Sequence, residues 1–398
     1  MAAVMPVQEF QPIPEIGKAS APRTAEFFAG IGLVRLGLES AGFEVVWSND
    51  LEPTKREMYT GHFRDAPGDH TFQLGDVADV MGNAMPDGID LAWASFPCTD
   101  LSLAGWRRGL AGEHSSTFWH FTRVLQEMGA RRPPVVALEN VTGMATSRGG
   151  EDLAVAIREL NRLGYSVDVL TLDARRFVPQ SRPRLFIVGS HEAPAQDDRL
   201  VSELRPDWLQ APFDDPSLVT HRAALPEPPP LLMEGLSAQV ERIGATDSRW
   251  WDGERTQAFV GSLSPIQLER LERLRKGRTF SHRTAYRRTR RGVAVWEIRA
   301  DDMSGCLRTA RGGSSKQAVV RAGRGEVSVR WMTPREYARL MGAGEYRLEG
   351  LRTNQALFGF GDAVCVPVVS WLAENYLMPL AQAESMQSSG SSLATVGA

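Results

Sequence analysis

Cysteine is scarce in this chain: three in 398 residues, at Cys98, Cys306 and Cys365, far apart. They form no metal-ligand spacing and no paired framework. That excludes a disulfide scaffold and a cysteine zinc site, and points to a reducing compartment. An uninterrupted apolar run of about 18 residues is also missing, so no membrane-spanning segment is expected. Residues 1–22 lack the basic start and apolar stretch of a secretory signal. Charge of one sign is lacking too, with Lys+Arg 45 against Asp+Glu 48, a net charge of −3. Over the whole chain that balance argues against a nucleic-acid partner, although net charge averages over regions.

What is present describes a globular chain. Hydrophobic residues make up 42% and glycine adds 37 positions, which excludes a disordered, collagen-like or coiled-coil bulk. The length favours two or three domains. From Arg23 to Ser190, short apolar runs alternate with helix-like stretches. The runs are 25–28, 44–47, 91–94, 135–138, 167–170 and 185–188. The stretches between include 32–41, 118–128 and 151–163. Strands alternating with helices predict a parallel α/β sheet wound on both faces.

From His191 the texture changes. Pro206, Pro212, Pro216 and the run Leu225-Pro226-Glu227-Pro228-Pro229-Pro230 break the alternation. Residues 267–291 then hold ten Lys/Arg against two Glu, a local charge of about +8. Within them Leu268, Leu271 and Leu274 fit an amphipathic helix, so part of that charge reads equally well as a solvated face. Residues 311–316 read as a loop and 318–321 as a strand. Helix and strand character returns over 333–378. The Ser/Gly/Ala-rich tail after Leu380 and the leader 1–22 are expected to be disordered.

Three strand ends carry chemistry. Phe28-Ala29-Gly30-Ile31-Gly32 lies between a predicted strand and a predicted helix, where glycines let a ligand approach backbone N–H groups. Asp50 ends the second strand, where a carboxylate can accept from ribose hydroxyls, and Asp76 could accept from an adenine amine. The third glycine of a dinucleotide fingerprint is absent, since Arg35 follows Val34, which favours a nucleoside cofactor without a pyrophosphate. Pro97-Cys98 follows the strand 91–94, placing a thiol at the crevice edge. Glu139 follows the strand 135–138, where desolvation could raise its pKa. Gln180-Ser181-Arg182-Pro183-Arg184 precedes the strand 185–188, and alternation puts Arg182 and Arg184 on one face, where arginines would favour a thiolate.

In this order the blocks resemble those of the DNA cytosine-C5 methyltransferases. They are 28–32, Pro97-Cys98, Glu139-Asn140-Val141 and 180–184, then Arg335-Glu336 with Arg339-Leu340-Met341-Gly342, and finally Gly361-Asp362-Ala363-Val364. The resemblance covers about residues 24–378. It implies a Rossmann-like S-adenosylmethionine-dependent methyltransferase domain with a second, smaller, irregular α+β target-recognition domain. The implied organisation is a leader 1–22, a catalytic and cofactor-binding domain 23–190, a target-recognition domain 191–332, a return segment 333–380 completing the catalytic domain, and a tail 381–398.

The resemblance also implies roles. Cys98 would be the nucleophile, Glu139 the residue holding the cytosine edge, and Arg184, with Arg182 in support, the contact to its O2. S-adenosylmethionine would lie against Phe28, Ala29, Gly30, Ile31, Gly32, Asp50, Leu51, Asp76, Val77, Pro97, Phe118, Asp362, Ala363 and Val364. Asp362 departs from the pattern, which has Asn there. Double-stranded DNA would be met by Trp106, Arg107 and Arg108 in a closing loop over 99–116, and by Gln180, Arg287, Arg288, Arg311, Ser314 and Lys316. No metal is implied. A bacterial cytoplasmic monomer is expected, with cognate restriction or defence proteins as further partners. Two alternatives stand beside this reading. A tRNA-modifying relative would have a much smaller recognition insert and a Cys-Phe-Thr tripeptide, which this chain lacks. A catalytically dead homologue would have lost the nucleophile or the Glu.

Overall fold

The computed structural model describes residues 20–66, 68–97, 116–290, 292–309 and 316–383. A seven-stranded sheet forms the larger body, in the order β3-β2-β1-β4-β5-β7-β6. Its strands are β1 (Arg23–Phe27), β2 (Glu44–Asp50), β3 (Thr71–Leu74), β4 (Leu91–Ala94), β5 (Val135–Val141), β6 (Ser166–Asp173) and β7 (Pro183–Ser190). All six runs expected as strands form here, and β3 is an addition. The sheet is not wholly parallel, because β7 runs antiparallel to both β5 and β6. That corrects the expectation: buried on both faces, an antiparallel strand shows the same unbroken apolar run as a parallel one.

Helices α1 (Leu33–Ser40), α2 (Pro53–Phe63), α3 (Ser116–Met128) and α4 (Glu151–Arg162) cover the sheet. One face packs Phe27, Trp47, Phe121, Val136 and Ile157 into a core. The other packs Leu33, Leu38, Trp93 and Phe186 with residues from the far end of the chain. That far end comprises α9 (Pro334–Leu340), α10 (Thr353–Asp362) and α11 (Val366–Leu372). Residues 353–383 are long and apolar enough to cross a membrane by length and composition. Here Leu357, Phe360, Val368, Val369, Leu372 and Leu377 are buried in the core. Helix continues to Ala383, past the tail boundary expected at 380.

The domain boundary expected at 191 also moves. Leu204, Ala223, Leu225, Leu236 and Val240 join the core of the large body, so the first fifty residues of the irregular region wrap it. Short helices α5 (Ala211–Asp214) and α6 (Leu236–Gln239) punctuate that wrap. It is anchored by Arg205, fully buried in an ion pair with Asp168 of β6, to which Tyr376 also donates. The smaller domain is built from α7 (Gly253–Gly261), α8 (Pro265–Arg275) and a four-stranded antiparallel sheet. Its strands are β8 (Ser281–Arg290), β9 (Val293–Ile298), β10 (Ala318–Gly323) and β11 (Glu326–Trp331), in the order β11-β10-β8-β9. Phe259, Leu271, Ala285, Ile298, Val320 and Val329 form its own core. Leu271 is the buried member of the amphipathic pattern read in α8.

Arg330, fully buried on β11, pairs with the fully buried Glu336 of α9 and joins the two bodies. Glu336 also completes a capping box with Thr333, so one carboxylate starts the helix and meets the arginine. Another buried acid sits in β1. Glu26 is fully buried, receives a 3.3 Å bond from Ser48 and leaves Oε1 unpartnered. Burial pushes its carboxyl up to about 8, against the lowering influence of Arg35.

Candidate active site

The crevice opens at the carboxyl ends of β1, β2, β4 and β5, where the order of connection reverses between β1 and β4. After β1 the chain turns through three left-handed residues, Phe28 (φ 58°), Gly30 (φ 59°) and Gly32 (φ 80°). A Cβ on Gly32 would come within 2.4 Å of the Phe63 ring, so close approach as well as backbone angle requires glycine. At Gly30 the same atom would meet nothing within 4 Å, so space lies open beside the turn. A phenylalanine at positive φ is costly, and such strain is held where a site depends on it.

Asp50 ends β2 and fastens this turn. Its Oδ2 accepts from Gly30 N at 2.8 Å and its Oδ1 from Glu52 N at 2.9 Å, so two backbone donors fix the carboxylate before any ligand arrives. Leu51 beside it is 61% exposed, an apolar face at the crevice rim. Asn49 bonds Gln73 O and Gly75 O, both at 2.9 Å, drawing the loop after β3 toward the same rim. That loop presents Asp76, exposed and capping Ala78 N at 2.9 Å.

Of the expected cofactor residues at this crevice, Asp50 bonds Gly30 and reaches Asp362 through Lys55, while Leu51 and Asp76 are exposed after β2 and β3. Four do not offer side chains to it. Ile31, Val77 and Phe118 are buried in the cores, Phe118 against Phe96 at 5.4 Å between ring centres, and Val364 is 4% exposed. Their size and apolarity belong to the core behind the crevice. The open cradle at Gly30, the fixed Asp50 carboxylate and the exposed apolar Leu51 fit a nucleoside with a flat base and a ribose.

At the β5 end, Glu139 is 8% exposed and its Oε1 lies 2.8 Å from Arg184 Nε. The carboxylate thus meets a guanidinium rather than the apolar wall expected from its strand. Asn140 reaches back to Phe96 O at 3.4 Å, tying β5 to the segment that leads into Pro97. Cys98, the loop over 99–115 with Trp106, Arg107 and Arg108, and Arg311 and Ser314 lie outside the described residues.

Arg182 and Arg184 were expected to serve one point. Both approach the Cys306 thiol, at 3.3 and 3.9 Å, but only Arg184 reaches Glu139. Arg182 is 4% exposed and acts as a clamp. It donates to Leu307 O at 2.8 Å and Ala363 O at 2.7 Å, while its backbone N–H is held by Asp173. Burial alone would raise the Cys306 thiol, yet the charges of Arg182 and Arg184 outweigh it and leave the thiol below its ordinary range. Gly361 completes the joint, since a Cβ there would sit 2.3 Å from Arg308 O.

Gln180 is a correction. Expected to contact DNA, it is fully buried. Its amide donates to Leu340 O at 2.7 Å and its oxygen accepts from Leu307 N at 3.0 Å. It braces the junction of the two bodies. Of the basic residues, Arg288 is half exposed and pairs with Glu297 at 3.3 Å, Arg287 lies over the Trp296 ring, and Lys316 bonds Asn354 at 2.6 Å. Part of the local +8 is spent internally, because Arg273 and Arg275 pair with Glu269 and Glu272 and Arg270 caps Ile298 O.

The sheet order, the strand-end turn and the acids at its rim define a Rossmann-like S-adenosylmethionine-dependent methyltransferase fold with a smaller α+β domain inserted. Matching the profile described as "C-5 cytosine-specific DNA methylase" over residues 23–377, the chain belongs to that family. Type II methyltransferase M.HaeII of Haemophilus aegyptius is 34% identical over 168 residues, covering 42% of this chain and 50% of that one. Type II methyltransferase M1.ScrFI of Lactococcus lactis subsp. cremoris is 25% identical over 380 residues, covering 95% of this chain and 83% of that one. The match thus spans about half the length of the first of these relatives and most of the second. Two solved structures share the fold. The Entamoeba histolytica methyltransferase EhMeth has TM-score 0.59 at 13% identity, covering 90% of this chain and 98% of that one. S. pombe Dnmt2 has TM-score 0.56 at 16% identity, covering 90% and 99%.

Proposed function

We propose that this chain methylates C5 of cytosine in a specific duplex DNA sequence, with the base flipped out of the helix. The observation that carries the reading is the Glu139–Arg184 pair across β5 and β7, one strand from the end of β4 that leads into Cys98. C5 of cytosine is a poor nucleophile. Addition of the Cys98 thiolate to C6 breaks the aromatic ring and moves electron density to C5. Glu139 holds N3 and the exocyclic amine, and Arg184 holds O2, so charge building on the ring meets fixed partners. S-adenosylmethionine, when bound, supplies the methyl group as an electrophilic carbon on sulfur. A base then removes the C5 proton, the electron pair restores the C5–C6 double bond, and Cys98 leaves as thiolate. A base within the stack cannot be approached from both faces, so flipping is required.

Phe28, Gly30, Asp50, Leu51, Asp76 and Ala363 would hold the cofactor. Arg287, Arg288 and Lys316 on the smaller domain, with Arg107, Arg108 and Arg311, would meet phosphates and base edges. The relatives named as type II methyltransferases support a role in bacterial restriction-modification; a phage-defence role and a cytoplasmic monomer belong to the same proposal. The test is tritium transfer from labelled S-adenosylmethionine to duplex DNA, with tRNA in parallel. Wild type should label duplex DNA and Cys98→Ala should not. Equal labelling by both, or labelling of tRNA alone, refutes the proposal.

A further inference from the structure

Lys55 is placed against the preference of its own helix. It lies in the first turn of α2, where the helix dipole disfavours a cation, and its side chain is only 12% exposed. Two carboxylates from distant parts of the chain hold it there. Nζ lies 2.5 Å from Asp362 Oδ2 and 4.0 Å from Asp50 Oδ2, the oxygen that receives Gly30 N–H. The face of Phe358 lies 5.6 Å from the ammonium. Beside it, Gln355 donates to Glu57 at 2.8 Å, so α10 runs along α2 and the lysine closes that contact at its crevice end.

From this juxtaposition we infer that Lys55 is a positioning residue for the cofactor, acting through Asp50 and Asp362. The inference rests on the S-adenosylmethionine reading above. Asp362 stands where the resemblance leads one to expect a neutral Asn, and alone it adds a second carboxylate to the neighbourhood of Lys55 and Asp50. Repulsion between the two carboxylates would turn that of Asp50 from Gly30 N–H and push the 361–364 block away from β2. The lysine cancels that charge and joins the two acids, so the crevice keeps its shape without a ligand. Burial opposes the ammonium, but the charges of Asp362 and Asp50 outweigh it and raise its pKa, so it stays charged at neutral pH. Lys55 and Asp50 are shielded at 12% and 7% exposure, whereas Asp362 is 48% exposed, so solvent screens its side of the contact more than that of Asp50.

The test is a charge-swap cycle read by direct binding of S-adenosylhomocysteine in calorimetry, with unfolding midpoints of the ligand-free proteins alongside. Lys55→Met should weaken binding about tenfold, which corresponds to about 1.4 kcal/mol. Lys55→Arg should stay within about threefold of wild type. Asp362→Asn alone is the reference against which the double variant is read. The pair Lys55→Met with Asp362→Asn should recover to within about threefold of Asp362→Asn, because the uncompensated acid is gone. A double variant as weak as Lys55→Met, or a Lys55→Met that binds like wild type, overturns the assignment alone. Should Lys55→Met fail to fold, Lys55→Arg and the double variant still decide it. Wild type that binds no S-adenosylhomocysteine overturns the cofactor reading and this assignment with it.

Discussion

Arg184 Nε lies 2.8 Å from Glu139 Oε1, while Arg182, just before the start of β7, turns to the backbone oxygens of Leu307 and Ala363. Two arginines of one motif therefore serve different ends. Arg184→Ala should lower single-turnover methyl transfer by about a hundredfold or more, the scale for removing one electrostatic partner of the reacting group. Its binding of S-adenosylhomocysteine and its unfolding midpoint should change little. Arg182→Ala should show the reverse emphasis, with a stability loss of about 2–4 kcal/mol from unpaired buried carbonyls and weaker cofactor binding through the loosened Ala363. Denaturant titration and calorimetry on both variants separate the two; identical profiles would contradict the division.

Asp50 is held by Gly30 N–H and Glu52 N–H before any ligand is present. Asp50→Ala removes the acceptor and frees the strained turn at once. S-adenosylhomocysteine affinity should fall by about tenfold to a hundredfold, with Asp50→Asn intermediate because it keeps one acceptor oxygen. Calorimetric binding at fixed pH measures this, and an Asp50→Ala protein that binds normally would remove Asp50 from the site.

Glu26 gives a pH signature. Its folded carboxyl keeps a proton up to about 8, against an ordinary value of 4.5. Between these values the unfolded chain binds fewer protons than the folded one, so this contribution to stability falls as pH rises and levels off above the folded value. Wild type should lose about 2 kcal/mol more than Glu26→Gln between pH of about 6 and 8. Urea midpoints across that range read it, and parallel curves would show that Glu26 is ionised in the fold.

Arg330 and Glu336 are both fully buried where the small sheet meets α9. Arg330→Ala leaves a buried carboxylate whose other oxygen bonds serve a helix cap. A loss of about 3–5 kcal/mol is expected by chemical denaturation. A loss under about 1 kcal/mol would mean that water reaches Glu336 from the joint.

Much of the large body was legible because buried strands here are compact apolar runs closed by Gly, Asn or Asp. The same signal located the crevice, since Gly30 follows β1 and Asp50 and Glu139 lie in the closing residues of β2 and β5. β3 is absent from the apolar runs because Thr71–Leu74 is short and half polar, although a strand end was expected just before Gly75. The reversed direction of β7 left no trace in its composition. Gln180 misled because a polar side chain in a charged motif reads as surface, while its partners Leu307 and Leu340 lie 127 and 160 residues away. Lys55 and Cys306 were invisible for the same reason: Asp362, and the guanidinium pair beside the thiol, come from distant segments. The small domain's basic run was legible as composition, but which charges its own glutamates consume depended on helix phase within α8.

The far end of the chain has a consequence for synthesis. Tyr346 donates to Ile31 O, Ser40 meets Ser370, and α10 and α11 close the first sheet layer. The glycine turn emerges from the ribosome early, but its bracing arrives some three hundred residues later. At the ordinary pace of translation, about 5–20 residues per second, the half-built crevice waits tens of seconds for its other wall. A chain that ends before Tyr346 therefore lacks the brace on the glycine turn and leaves the face of Leu33, Leu38 and Trp93 uncovered.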